Sequence, residues 1–107
     1  LQVHDEYGYW DTSQAFVDAL NGITVLNRTF KTQIIAPFSL WSKTEELKIC
    51  KELRTYHLLV HTLTCYDPDE KGKSCGTCPS CSERIKAFMN IKDPDPIQYQ
   101  KEINWHV

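Results

Sequence analysis

The sequence predicts an α/β chain that is mostly helical, has short strands and carries a cysteine-rich subdomain. Three observations predict this fold class. Three segments place apolar residues at helical spacing, one short β-branched segment ends in a proline, and four cysteines stand close together near the C-terminus. A chain of 107 residues with 41% hydrophobic content can build one modest core, so we expect a single domain.

The first predicted helix covers residues 11–21, DTSQAFVDALN. Its apolar face is expected to consist of Phe16, Ala19 and Leu20, which stand at helical spacing. Asp, Thr and Ser precede this face and can cap the helix, and Gly22 follows it. We therefore predict a short amphipathic helix that stops at Gly22.

A short strand is predicted at residues 33–38, QIIAPF. The segment combines β-branched residues with Pro37, which has no backbone N–H to donate to a sheet. It is typical of a strand that leaves a sheet edge and ends at the proline.

The second helix is predicted from a capping box, Ser42-x-x-Glu45, and should run to about Arg54. Four residues supply its expected buried stripe: Leu47, Ile49, Cys50 and Leu53. Cys50 stands apart from the other cysteines, and we interpret it as a small core residue.

The remaining segments are predicted with less regular structure around one further helix. Residues 56–64, YHLLVHTLT, lack a single period and fit either a short strand or an irregular approach to the first cysteine of the cluster. A third helix is expected to begin at Pro79 and Ser80, with an apolar face of Ile85, Phe88 and Met89. After it, Pro94 and Pro96 predict an extended tail on the surface.

The cysteine cluster is the strongest signal for a site. Cys65, Cys75, Cys78 and Cys81 follow the pattern C-x9-C-x2-C-x2-C, which can wrap four thiolates around one ion. Four sulfur ligands leave no open coordination position for water, so we predict a structural zinc and not a catalytic one. Disulfides are the first alternative, but five cysteines make an odd count. A second alternative is an iron–sulfur cluster, and a third is a zinc site in which His61 replaces Cys65 as a ligand.

Charge and hydropathy argue against a nucleic-acid partner and against a membrane-spanning segment. The formal net charge is -2, and four thiolates with one Zn²⁺ would bring it to -4, so we expect no nucleic-acid partner. Four basic residues near the cysteines could offset this charge locally: Lys71, Lys73, Arg84 and Lys86. No apolar run is long enough to span a membrane, and we expect a cytoplasmic chain.

Six motifs in order give the chain a resemblance to a known family. They are GYWD followed by AFVDAL, then IIAPF, SKTEELK, LTCY, CGTCPSCSERIKAF and finally KDPDP. In this order and at these separations they resemble the C-terminal portion of the 7-cyano-7-deazaguanine synthase family.

The resemblance implies a fold and a division of the chain. The fold would be the C-terminal part of an adenine nucleotide alpha hydrolase-like (PP-loop) doubly wound α/β domain. Residues 1–60 would belong to the synthase domain, residues 61–92 to the zinc-binding segment and residues 93–107 to the extended tail.

The resemblance also implies a reaction. Members of the family convert 7-carboxy-7-deazaguanine and ammonia to the nitrile with ATP and Mg²⁺, in queuosine and archaeosine precursor synthesis. Their S-G-G-x-D-S loop, which holds ATP, belongs to an N-terminal half, and the four glycines here are never adjacent. We therefore expect no activity from this chain alone, with the ATP-binding half supplied by the same protein or by a separate chain.

Substrate contacts are implied for Tyr9 and Asp11, which match part of the family's G-Y-P-D-C-R segment. An aromatic ring and a carboxylate could stack on a deazaguanine and accept its N–H groups. Asp11 could equally cap the following helix, with Tyr9 packed beneath it. Trp10, Thr12 and Ser13 depart from the pattern, so a guanidinium that could pair with a substrate carboxylate is missing. No catalytic residue is assigned.

Three other interpretations stay open. The chain could be a divergent relative with another substrate, or a noncatalytic zinc-stabilised module that binds a protein partner. Its apolar opening, LQVHDEYGYW, also favours a homodimer in which a second copy covers this surface.

Overall fold

A computed structural model describes residues 9–106 of the chain, which divides into two compact units. The first unit ends at Ser42 and the second begins at Lys43. Three α-helices form the framework: α1 (Gln14–Thr24), α2 (Lys43–Glu52) and α3 (Pro79–Asn90). Two 3₁₀ helices accompany them, Trp10–Thr12 and Tyr56–His61. The mostly helical character is confirmed, but residues 9–106 contain no β-strand.

Helix α1 begins at Gln14 because Ser13 caps it. The hydroxyl oxygen of Ser13 accepts the backbone N–H of Phe16 at 3.1 Å. Val17 is the buried residue of the helix, whereas Ala19 is exposed, so the predicted apolar face was wrong in part. The predicted stop at Gly22 was also wrong. The helix continues to Thr24, since a glycine within a helix costs only about 1 kcal/mol.

The predicted strand at residues 33–38 does not form. Residues 31–36 have no regular structure, and a turn follows at residues 37–40. The side-chain amide of Asn21 takes the place of a neighbouring strand, because it donates to the carbonyl of Ile34 at 2.9 Å and accepts the N–H of Ile34 at 2.8 Å. A strand needs a partner along its whole length, and one side chain satisfies only one residue.

The core of the second unit lies between α2 and α3. Leu47, Ala87 and Phe88 form it, and four partly buried residues pack against it: Tyr56, Leu59, Ile91 and Trp105. Helix α2 begins directly after Ser42, as predicted, but ends at Glu52. Leu53 lies in the following turn and is 64% exposed, so its assignment to the buried stripe was wrong. Arg54 adopts a left-handed φ of 58° there, which ends the helix.

Helix α3 begins at Pro79, as predicted, but its buried face differs from the expected one. Phe88 is 1% exposed, while Ile85 and Met89 are only half-buried. The unexpected buried residue is Arg84, at 5% exposure. Asp95 compensates its charge.

The other two irregular segments also take a definite form. Residues 56–61 are a 3₁₀ helix and not a strand. The tail is not simply an extended surface segment, because Asp95 is buried and Tyr99 forms an isolated parallel bridge with Ser74. Among the described residues, every helix is too short or too polar to cross a membrane.

The packing of Phe88 predicts the effect of truncating it. Phe88→Ala removes a fully buried ring from the α2–α3 core and should lower the free energy of unfolding by about 3–5 kcal/mol. Leu53→Ala, on the exposed turn after α2, is the control and should change the free energy by less than about 0.5 kcal/mol. Urea denaturation of both variants measures the difference; equal effects would contradict the placement of the core.

Candidate metal centre

The four predicted cysteines come together in the second unit. The sulfur atoms of Cys65, Cys75, Cys78 and Cys81 all lie within 4.8 Å of one another. Cys65 and Cys81 are buried, and the other two are half-buried. No histidine, aspartate or glutamate of the described residues joins this group, so His61 does not replace Cys65.

The spacing of the sulfurs fits one tetrahedral ion. The sulfurs of Cys75 and Cys81 are 3.9 Å apart. Zinc–sulfur bonds of about 2.3 Å in a tetrahedron place the sulfurs about 3.8 Å apart. All five cysteines of the chain are free, which is contrary to the disulfide alternative. Cys50 lies on α2, half-buried, and is not a member of the cluster.

Backbone N–H groups point at the sulfurs. Cys65 accepts from the N–H groups of Asp67 and Cys75, both at 3.2 Å. Cys75 accepts from Thr77 at 3.4 Å and from Cys78 at 3.2 Å. The sulfur of Cys78 caps α3 by accepting the N–H of Cys81 at 3.4 Å. Such donors stabilise thiolates, which are the form of cysteine that binds metal ions.

These donors and burial separate the pKa values of the thiols. Hydrogen bonds from the backbone and hydroxyl of Thr77 lower the pKa of Cys75 to about 6. Burial alone would raise the pKa of Cys78, but the N–H groups of Tyr66 and Cys81 outweigh it and leave the pKa below its ordinary value. Burial raises the pKa of Cys81 to about 12. A cation bound close to Cys81 would favour its thiolate and oppose the effect of burial.

The loop between Cys65 and Cys75 is built around Asp69. Its carboxylate accepts the N–H groups of Lys71 at 3.0 Å and Lys73 at 2.8 Å. Gly72 takes a left-handed φ of 79° at the tip, a conformation that glycine adopts without strain. The hydrogen bonds of this exposed loop return the chain to the cluster.

Arg84, one of the basic residues near the cysteines, pairs with Asp95. Its Nε and Nη2 atoms donate to the two oxygens of Asp95 at 2.5 and 3.0 Å. Its Nη1 donates to the hydroxyl of Thr62 at 2.8 Å, and Nη2 also donates to the carbonyl of Leu59 at 3.2 Å. The sequence analysis did not predict this pair, although it named the motifs CGTCPSCSERIKAF and KDPDP, which contain Arg84 and Asp95.

Tyr9 and Asp11 lie in the first unit. Tyr9 is 47% exposed, and its carbonyl accepts from the hydroxyl of Thr12 at 2.9 Å. Asp11 is exposed in the 3₁₀ helix Trp10–Thr12, and the cap of α1 is Ser13. The alternative role of Asp11 as that cap was therefore wrong, while its role in substrate binding stays a prediction.

The geometry and donor chemistry together define what the cluster can do. Four thiols that accept N–H donors and converge at tetrahedral spacing can hold a metal ion. Because all four ligands would come from the protein, the arrangement is typical of a structural site.

Comparison with known proteins gives a consistent answer. The model of the family described as "Queuosine biosynthesis protein QueC" matches residues 1–92. The chain is 39% identical over 97 residues to the 7-cyano-7-deazaguanine synthase of Haloarcula marismortui, covering 89% of this chain and 40% of that protein. It is 34% identical to the enzyme of the same name from Marinomonas sp. (strain MWYL1), covering 90% and 42%. It is 37% identical to the enzyme of the same name from Caldicellulosiruptor saccharolyticus, covering 91% of this chain and 41% of that protein.

The chain spans about 40% of the length of these curated relatives. The family model nevertheless matches most of its residues, and these include all four cysteines of the cluster. The chain therefore belongs to the QueC family of queuosine biosynthesis proteins.

Proposed function

We propose that this chain is the zinc-bearing C-terminal part of a 7-cyano-7-deazaguanine synthase-like ligase. The observation that carries the proposal is the convergence of the four cysteine sulfurs within a chain of this family. The reaction would be the ATP-dependent conversion of 7-carboxy-7-deazaguanine and ammonia to the nitrile.

Zinc is the metal that the donor set favours. A tetrahedral set of four thiolates suits zinc or iron. A polynuclear iron–sulfur cluster would place several atoms between its ligands, whereas these sulfurs lie within 4.8 Å of one another. The role is structural: Cys65 and Cys75 close the loop around Asp69, and Cys78 and Cys81 hold the first turn of α3.

ATP and Mg²⁺ would be bound by another part of the enzyme. The four glycines of this chain are isolated, and none supplies the glycine-rich turn that cradles phosphates before a helix. The chain spans about 40% of its relatives' length, so the ATP-binding half would come from the same protein or from a second chain.

Tyr9 and Asp11 are our candidates for contacts with the deazaguanine. Both are exposed, and Asp11 is not used as the cap of α1. A free carboxylate can accept two N–H groups of a guanine-type edge, and the ring of Tyr9 can stack on its face.

Reconstitution with the ATP-binding part of a relative tests the reaction. We expect nitrile formation from the combined protein, and Asp11→Asn should lower kcat/KM about 10- to 100-fold, because one charged hydrogen-bond partner is lost. Asp18→Asn is the control, since Asp18 is exposed on α1 and accepts a hydrogen bond from the side chain of Gln14 at 3.0 Å. Mass spectrometry of the product measures the rate; equal rates for both variants would refute the role of Asp11.

Metal analysis tests the zinc site directly. We expect one zinc per chain after purification under reducing conditions, and Cys78→Ser should abolish its retention. Chelation should unfold residues 65–88 before the rest of the second unit, because metal binding there stabilises the fold. Hydrogen exchange followed by mass spectrometry locates the change. Unaltered protection at residues 65–88 after chelation would count against a structural metal.

The separated pKa values predict which thiol reacts first in the metal-free chain. The reactive form is the thiolate, and because the pKa of Cys75 is lowered to about 6, its thiolate persists down to about pH 6. Cys81, with its pKa raised to about 12 by burial, stays protonated and should react slowly at pH 7. Iodoacetamide labelling with peptide mapping from pH 5 to 8 measures the order, and zinc should protect all four cysteines. Faster labelling of Cys81 than of Cys75 would show that the assigned environments are wrong.

A further inference from the structure

Residues 95–100, which we call segment 95–100, form hydrogen bonds with chain segments next to three cysteines of the cluster, Cys65, Cys75 and Cys81. The side chain of Gln100 donates to the carbonyl of Lys73 at 2.9 Å and to that of Asp67 at 3.4 Å. Asp67 follows Cys65 by two residues, and Lys73 precedes Cys75 by two. One side chain therefore bridges both ends of the loop that joins these cysteines.

Backbone hydrogen bonds add a second connection, at Ser74. Its N–H donates to the carbonyl of Gln98 at 3.0 Å, and its carbonyl accepts the N–H of Gln100 at 2.8 Å. Ser74 is 1% exposed and directly precedes Cys75. The position of Cys75 is thereby tied to segment 95–100 through the adjoining peptide.

A buried ion pair makes the third connection. Asp95, with no exposed side-chain surface, holds Arg84 through two hydrogen bonds. Arg84 lies three residues after Cys81 on α3 and also reaches Thr62, three residues before Cys65. Asp95 is itself held by the hydroxyl of Tyr99 at 2.7 Å.

We propose that segment 95–100 positions the cysteines for the metal and slows metal release, with Asp95 as the central positioning residue. The inference rests on the proposed function, since it requires that the cluster binds zinc. The family-model match ends at residue 92, so that comparison assigns nothing to this segment.

The physical reason lies in what metal release requires. A thiolate leaves the ion more readily when its chain segment can move away, and the segments that carry Cys65, Cys75 and Cys81 are bonded to segment 95–100. Partners that orient metal ligands from outside typically change metal affinity about 10- to 100-fold when they are removed.

The test compares zinc release from the 107-residue chain and its Asp95→Asn variant in the presence of a chromogenic chelator. We expect the variant to release zinc about tenfold faster or more. Asp93→Asn is the matched control, because Asp93 also lies in the tail but pairs with Lys51 on the surface, at 42% exposure. Its release rate should equal that of the parent chain.

Gln100→Ala tests the inference even if Asp95→Asn misfolds. Gln100 is exposed, and its substitution leaves the buried ion pair intact. Its release rate should rise about fivefold, because the hydrogen bond to Lys73 and the longer one to Asp67 are both lost. Cobalt substitution gives a readout that a general loss of stability would not move: the tetrahedral thiolate absorption should weaken in Gln100→Ala and stay unchanged in Asp93→Asn.

The outcomes separate this inference from the proposed function. If the parent chain takes up no zinc or cobalt, the proposed function fails and this inference fails with it. If the parent binds metal but Gln100→Ala releases it at the parent's rate with the parent's cobalt spectrum, only the positioning role is overturned.

Discussion

Four sulfurs within 4.8 Å of one another impose an electrostatic constraint on the second unit. Four thiolates at this distance repel one another strongly, and two of them are buried. The N–H donors relieve the repulsion at Cys75, where the pKa falls to about 6, but burial still raises that of Cys81 to about 12. The hydrogen bonds thus favour the thiolate at Cys75 without a metal, whereas a bound cation would favour the thiolate at Cys81.

The buried pair of Arg84 and Asp95 also places charges out of contact with water, close to the cluster. Desolvating two charges costs several kcal/mol each, and their attraction offsets this only when the remaining hydrogen-bonding groups are satisfied. Here Arg84 also reaches Thr62 and Leu59, and Asp95 also accepts from Ile97 and Tyr99. Burial, and with it the hydrogen bond to Asp95, raises the pKa of Tyr99, so its hydroxyl stays a donor at neutral pH. The pair and its partners thereby join three chain segments, which are residues 59–62, helix α3 and residues 95–99.

Local signals predicted the cysteine cluster and the starts of α2 and α3. The C-x2-C spacing confines two sulfurs to one turn whatever surrounds them, and Pro79 begins α3 as its fixed φ favours. Interactions between distant residues were not predictable in this way. Nothing near Arg84 in the sequence shows that its partner stands eleven residues later, beyond a helix end. The face of α1 was also misplaced, because Val17 and Ala19 differ in burial through contacts that periodicity alone does not contain.

The strand predicted at residues 33–38 also depended on distant residues that the local sequence does not specify. Residues 33–38 have the β-branched composition of a strand, but that propensity expresses fit to a neighbouring pleated surface. Within residues 9–106 the neighbour of Ile34 is the amide of Asn21, which reproduces one pair of ladder hydrogen bonds and no more. Ile35 consequently remains 71% exposed. Composition thus predicts which residues can form a strand, whereas formation depends on a partner backbone that no local pattern encodes.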